Sequence, residues 1–146
     1  MKVSRKSWWL VAVQLMALAV LALTGPVFPE QTLPRLFLLA GLLLGLWALI
    51  TIRLRNLRIV PEPAQDARIT TSGPYRRIRH PMYASVLLVA LGWLIAEFSF
   101  VRLGTWIVLF ADLLLKLHHE ESILEAAIPG YAAYKARSYR LVPGLF

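Results

Sequence analysis

Four apolar runs separated by short polar stretches organise the chain. Ser7–Leu23 is uncharged and apolar apart from Gln14; Leu36–Ile52, Met82–Ile95 and Leu103–Leu117 follow. Taken as spans, they predict an all-α integral membrane protein of about four transmembrane helices, over residues 7–24, 35–52, 82–96 and 102–117. Thr24–Pro34 carries three prolines and one glycine and reads as a loop. Glu97–Arg102 is a tight connection that folds the last two runs into an antiparallel hairpin. Gly41 and Gly45 give the second run the small-residue spacing of closely packed helices. Beyond His118 the pattern turns amphipathic. Ile123, Leu124, Ala127 and Ile128 fall at helical spacing opposite Glu121 and Glu125. Pro129-Gly130 then interrupts, and a short segment with Tyr131 and Tyr134 follows. The chain thus reads as one membrane domain over 1–146, with a loop at 53–80 and a tail at 118–146.

Composition agrees: the chain is 58% hydrophobic and 16% charged, with a mean hydropathy of +0.62. The basic start followed by an apolar run resembles a signal peptide, but the run is long and no small-residue cleavage site precedes Pro26. A retained first helix with Trp8 and Trp9 at the interface is the better reading. A formal net charge of +8 would suit nucleic acid, yet its distribution is that of membrane topology. Lys2, Arg5, Lys6, the arginines from Arg53 to Arg79, and Lys116, Lys135, Arg137 and Arg140 fall on one side; Arg35 and Arg102 alone fall on the other. The positive-inside rule then gives N-in and C-in, with the 53–80 loop and the amphipathic tail on the cytoplasmic face. The chain has no cysteine, which excludes disulfides, thiol nucleophiles and cysteine-based metal sites.

Two polar stretches stand out. Thr71–Tyr83, TSGPYRRIRHPMY, opens with a Ser-Gly-Pro turn and places Arg76, Arg77, Arg79 and His80 before Pro81, a proline suited to the first turn of a helix. Asp112, Lys116 and Glu120 form an i, i+4 stripe from the fourth apolar run to its surface end, with His119 and Glu121 beside it. Topology alone accounts for the arginines, and self-pairing for Asp112 and Lys116. Neither accounts for the Gly-Pro-Tyr turn or the His-Pro-x-Tyr spacing. No G-x-G-x-x-G, Walker A or H-E-x-x-H pattern occurs. The adjacent His118 and His119 point to different helix faces, so no metal site is expected.

Together, GPYRRIRHPMY at Gly73–Tyr83, EESIL at Glu120–Leu124 and PGYAAYKARSYRLVPG at Pro129–Gly144 resemble the isoprenylcysteine carboxyl methyltransferase family and its bacterial relatives. The resemblance covers about the C-terminal half; the first two helices match as hydrophobic spans. Phospholipid N-methyltransferases share much of the pattern. The resemblance implies S-adenosyl-L-methionine as cofactor, a lipid or apolar small-molecule acceptor, and an inner-membrane enzyme whose active site faces the cytoplasm. Tyr75, His80, Pro81, Met82, Tyr83 and Glu120 match cofactor-binding positions, and Ala67–Thr70 matches a stretch that lines the cofactor. Lys116 stands where prenylcysteine enzymes have a substrate-contacting arginine, and lysine lacks that residue's bidentate grip. Lys116 with Arg79, and Asp112 beside them, are the expected acceptor-side groups. A carboxylate acceptor needs no base, whereas an amine would call on His119 or Glu121. Two other readings are an NADPH-dependent reductase resembling the sterol reductases, which carry Arg-Asp where His119-Glu120 stand, and a non-enzymatic membrane scaffold.

Overall fold

A computed structural model describes residues 5–52 and 69–146, leaving the side chains of residues 5 and 6 aside. Among these residues five α-helices follow in order: α1 (Arg5–Leu23), α2 (Thr32–Ile52), α3 (Pro81–Ala96), α4 (Phe100–Ala127) and α5 (Tyr131–Ala136), with a 3-10 turn over Gly73–Arg76 before α3. The expected arginines at 53, 55, 58 and 68, the linker from Ile59 and the Ala67–Arg68 part of the cofactor-lining stretch lie outside the described residues. No strand occurs among the described residues.

The apolar pattern ends at Leu117 but the helix does not. α4 continues through the amphipathic segment to Ala127, about 42 Å at 1.5 Å per residue. Pro129-Gly130 stops it, and Gly130 takes a left-handed φ of 86° before α5. Ser99 caps its start, accepting a hydrogen bond from the Arg102 amide at 3.2 Å. α2 lies chiefly along α3 and α1 along α4, with fewer contacts joining α3 to α4. The expected hairpin is therefore looser than the α2–α3 pair.

Small residues explain that closeness. A Cβ on Gly41 would stand 2.8 Å from the Val89 amide nitrogen, and one on Gly45 would stand 2.5 Å from Ser85 Oγ. Replacing Gly41 with leucine is expected to destabilise the bundle by about 1–3 kcal/mol through overpacking, read as a lower thermal midpoint in detergent. The core between the helix pairs is aliphatic, built on Ala17, Leu21, Leu87, Ala90, Leu109, Leu113 and Leu117.

Arg102 ties the end remote from Thr71–Tyr83. It is 3% exposed and donates to the Leu21 carbonyl at 2.9 Å, to Thr24 Oγ1 and to the Trp93 carbonyl. This joins the ends of α1 and α3 to the start of α4. α2 is long and apolar enough to cross a membrane, and Ser7–Leu23 and Pro81–Ala96 are shorter apolar helices. α2 presents Leu36, Leu39, Leu42, Leu43, Leu46 and Ile50 outward, and α1 presents Trp8, Trp9, Leu15 and Met16.

Candidate active site

The site is assembled from a turn, a helix start and a helix end. Gly73 makes the turn possible: its φ is +54°, and a Cβ there would collide with Thr51 Oγ1 of α2. The 3-10 turn buries Pro74 and Tyr75. The chain then extends and pairs with the C-terminal segment in a lone parallel bridge between Ile78 and Tyr139. Arg79 N donates to the Tyr139 carbonyl at 2.7 Å, Tyr139 N to the Arg77 carbonyl at 2.8 Å, and His80 N to the Arg140 carbonyl at 3.1 Å. His80 caps α3 and Pro81 opens it, as the sequence leads one to expect. The Tyr134 hydroxyl donates to the Tyr75 carbonyl at 2.6 Å and closes the assembly from α5.

Glu121 is the electrostatic centre of this assembly. Arg79 Nε donates to its Oε1 at 2.6 Å, His80 Nε2 lies 3.2 Å from the same oxygen, and Arg140 Nε reaches Oε2 at 3.3 Å. Arg79 also donates to the Lys135 carbonyl at 3.0 Å and to Ser138 Oγ at 3.2 Å. Burial works to raise the Glu121 pKa, but the hydrogen bonds and charges of His80 and Arg79 outweigh it and hold the carboxyl down to about 2. Burial raises Tyr75, and pushes Tyr134 up to about 12 against the opposing charges of Arg79 and Arg137; both stay neutral phenols.

A pH dependence follows. Because the folded pKa of Glu121 lies below its unfolded value, its stabilisation is present above about pH 4.5 and is lost as pH falls toward 2. Protonation would leave Arg79, Arg140 and His80 facing one another. Thermal midpoints in detergent are expected to fall over this window in the wild type. Glu121→Gln should be less stable at pH 7 and flatter below pH 4.5.

Glu120, one residue on, faces a different group. The Tyr83 hydroxyl donates to its Oε2 at 3.1 Å, and His80 Nδ1 lies 3.7 Å from the same oxygen. The rings of His80 and Tyr83 stack at 5.4 Å with an interplanar angle of 3°. The Glu120 side chain keeps 30% of its surface exposed, against 4% for Glu121. Burial raises its pKa, with His80 and the Tyr83 hydrogen bond opposing the rise. Glu120 is thus the accessible carboxylate of the pair and Glu121 the enclosed one.

Lys116 is fully buried; its ammonium donates to Gln14 Oε1 of α1 and lies 3.8 Å from Asp112 Oδ2. Both Asp112 oxygens are buried without a hydrogen-bond partner. This pair lies one to two helical turns from Glu120, and no ion pair joins Lys116 to Glu120. His119 is half-buried and makes no hydrogen bond or ion pair with the cluster. Thr70 and Met82 are half-buried and Pro81 is buried. Among the described residues no group of three or more His, Asp or Glu is placed to hold a metal ion.

The sequence profile of the isoprenylcysteine carboxyl methyltransferase (ICMT) family matches residues 34–126, well over half the chain. The chain belongs to the ICMT family. No curated protein and no solved structure matches it at a significant level. The match makes this a protein of a methyltransferase family and rests the resemblance on more of the chain than the C-terminal half, because it takes in α2. It ends before Pro129–Gly144, which the structure nonetheless folds against the matched motif. Several residues that hold this candidate site were not assigned to it by sequence: Tyr134, Ser138 and Arg140, which hold the His80 stretch, and Gln14, which holds Lys116. A lone glutamine in an apolar run was the signal for Gln14. Nothing in the C-terminal pattern foretold a backbone bridge to Ile78.

Proposed function

We propose that the chain is an integral-membrane methyltransferase that uses S-adenosyl-L-methionine at its cytoplasmic face and methylates a lipidic or apolar acceptor. The observation that carries this is the meeting of two stretches 37 residues apart, where the Tyr83 hydroxyl bonds Glu120 beside the stacked His80 ring. Such a group suits the donor: an accessible carboxylate for an ammonium or ribose hydroxyls, and flat rings for adenine or a sulfonium. Glu120, Tyr83, His80 and Tyr75 would hold it, with Thr70 and Met82 at the edges. When bound, the cofactor supplies an electrophilic methyl group.

The protein's own part is positioning, since an in-line displacement needs donor and acceptor aligned. Glu121 serves that purpose by fixing Arg79, His80 and Arg140. A carboxyl held at about 2 is a poor proton acceptor near neutrality, so it is no base for an amine. An amine acceptor would then depend on His119 as its base, whereas a carboxylate, which arrives as an anion, needs none. Arg79 is engaged by Glu121, Lys135 and Ser138; Lys116 is buried and bonded to Gln14, so an anion would meet it by replacing the Gln14 oxygen, with Asp112 setting its charge.

A four-span, N-in/C-in arrangement fits the same reading. α4 carries Arg102, Asp112 and Lys116, yet all three are buried inside the bundle; paired, inward-facing charge is the form such residues take in a membrane. Its outward positions include Val101, Ile107, Val108 and Leu115.

Profiling of lipids and small acids after overexpression tests the reaction. A methylated species should accumulate with the wild type and not with Glu120→Ala. Equal profiles from the two would count against the proposal.

A further inference from the structure

Among the described residues five arginines surround the C-terminal half of the site, and they divide into two sets. Arg79 and Arg140 are bound to Glu121. Arg76, Arg77 and Arg137 are exposed and make no side-chain hydrogen bond or ion pair with any described residue. These three converge although 60 residues separate Arg77 from Arg137. With Thr71 and Tyr134 they line a hollow of about 480 Å³, a size usual for a small-ligand site. None of His80, Tyr83 and Glu120 lines it.

We infer that this hollow binds the phosphate of an anionic lipid headgroup. The first reason is charge. Three guanidiniums gather with no carboxylate among the described residues of the lining, and an anion relieves their mutual repulsion. The second is hydrogen bonding. Each guanidinium offers planar donors that match phosphate oxygens in bidentate fashion, and the Thr71 hydroxyl adds another. The wall is fixed rather than pliant: Tyr134 is 4% exposed and its hydroxyl is bonded to the Tyr75 carbonyl. The third is location, and it rests on the membrane reading proposed above. Arg76 and Arg77 belong to the turn that Gly73 seats against Thr51 and Trp47, at the end of α2. Trp47 is 55% exposed, as a tryptophan at the membrane interface would be. The hollow therefore stands at headgroup level, where lipid phosphates lie.

Titrating the detergent-purified full chain and following tryptophan fluorescence tests the inference. The probes are short-chain phosphatidylglycerol, short-chain phosphatidylcholine and inorganic phosphate. Phosphatidylglycerol should bind saturably and at least tenfold more tightly than either of the others, since each arginine at an anionic surface is worth about fivefold. The Arg76→Gln/Arg77→Gln/Arg137→Gln variant should lose that preference, while Arg35→Gln, on another surface, keeps it. A triple variant that still prefers phosphatidylglycerol overturns the inference. Inorganic phosphate binding as tightly as the lipid overturns the lipid assignment in favour of a soluble phosphate. S-adenosylhomocysteine is titrated in parallel. Its unchanged binding to the triple variant marks the hollow as a separate site, and its loss would make the hollow part of the donor site and overturn the inference. Arginine-dependent lipid binding by a wild-type protein that takes no S-adenosylhomocysteine would remove the methyltransferase reading and leave this one standing.

Discussion

Glu120→Gln is expected to weaken S-adenosylhomocysteine binding about 10- to 150-fold without unfolding the protein. A hydrogen bond to a charged group is worth about 1.5–3 kcal/mol, and every 1.4 kcal/mol is a factor of ten in affinity. The fold should survive because Glu120 is not part of what holds it. Its protein contacts are the Tyr83 hydroxyl at 3.1 Å and His80 at 3.7 Å, and a glutamine oxygen still accepts from Tyr83. Glu121→Gln is the matched comparison. It breaks the centre on which Arg79, His80 and Arg140 converge, so its loss of binding should come with a lower thermal midpoint. Titration calorimetry beside thermal melting separates the two. If Glu120→Gln bound the ligand as the wild type does, the assignment of the donor site to this carboxylate would fail.

The second large effect is expected one to two turns deeper, at Lys116. Lys116→Met leaves Asp112 buried with neither a hydrogen-bond donor nor a countercharge. Breaking a buried pair from one side costs about 3–5 kcal/mol, enough to unfold a marginal protein. Asp112→Leu should cost less, because Lys116 keeps its bond to Gln14. The double variant Asp112→Leu/Lys116→Met should recover most of the loss, since replacing both charges with apolar groups is often close to neutral. A thermal double-mutant cycle reads this coupling directly. No recovery in the double variant would mean that the pair is not what makes Lys116 costly to remove. The recovered variant also isolates function: retained S-adenosylhomocysteine binding with lost methyl transfer would assign Lys116 to the acceptor.

Sequence shows this fold well where periodicity carries it and poorly where a single long-range contact does. The apolar runs, the start of α3 at Pro81 and the break at Pro129-Gly130 are local features, and each appears where its residues say. The amphipathic segment beyond His118 continues α4 without a break, because composition changes at Leu117 while helical periodicity does not. The candidate site was legible as two motifs but not as an arrangement. Glu120 and Glu121 are neighbours in sequence, and about 100° of helical rotation sends one to Tyr83 and the other to Arg79. Arg79 reads as a topology or substrate charge in sequence, yet its donors are engaged by Glu121 and the C-terminal segment. The Ile78–Tyr139 bridge and the Lys116–Gln14 bond, the latter spanning 102 residues, leave no periodic trace. Sequence alone has no means of finding them.

If His80, Tyr83 and Glu120 form a methyl-donor site, a paired titration of detergent-purified wild-type protein should reveal it. Calorimetry with S-adenosylhomocysteine and, separately, with NADPH should give saturable binding for the first and none for the second. A folded protein that binds NADPH instead, or binds neither, would contradict the account.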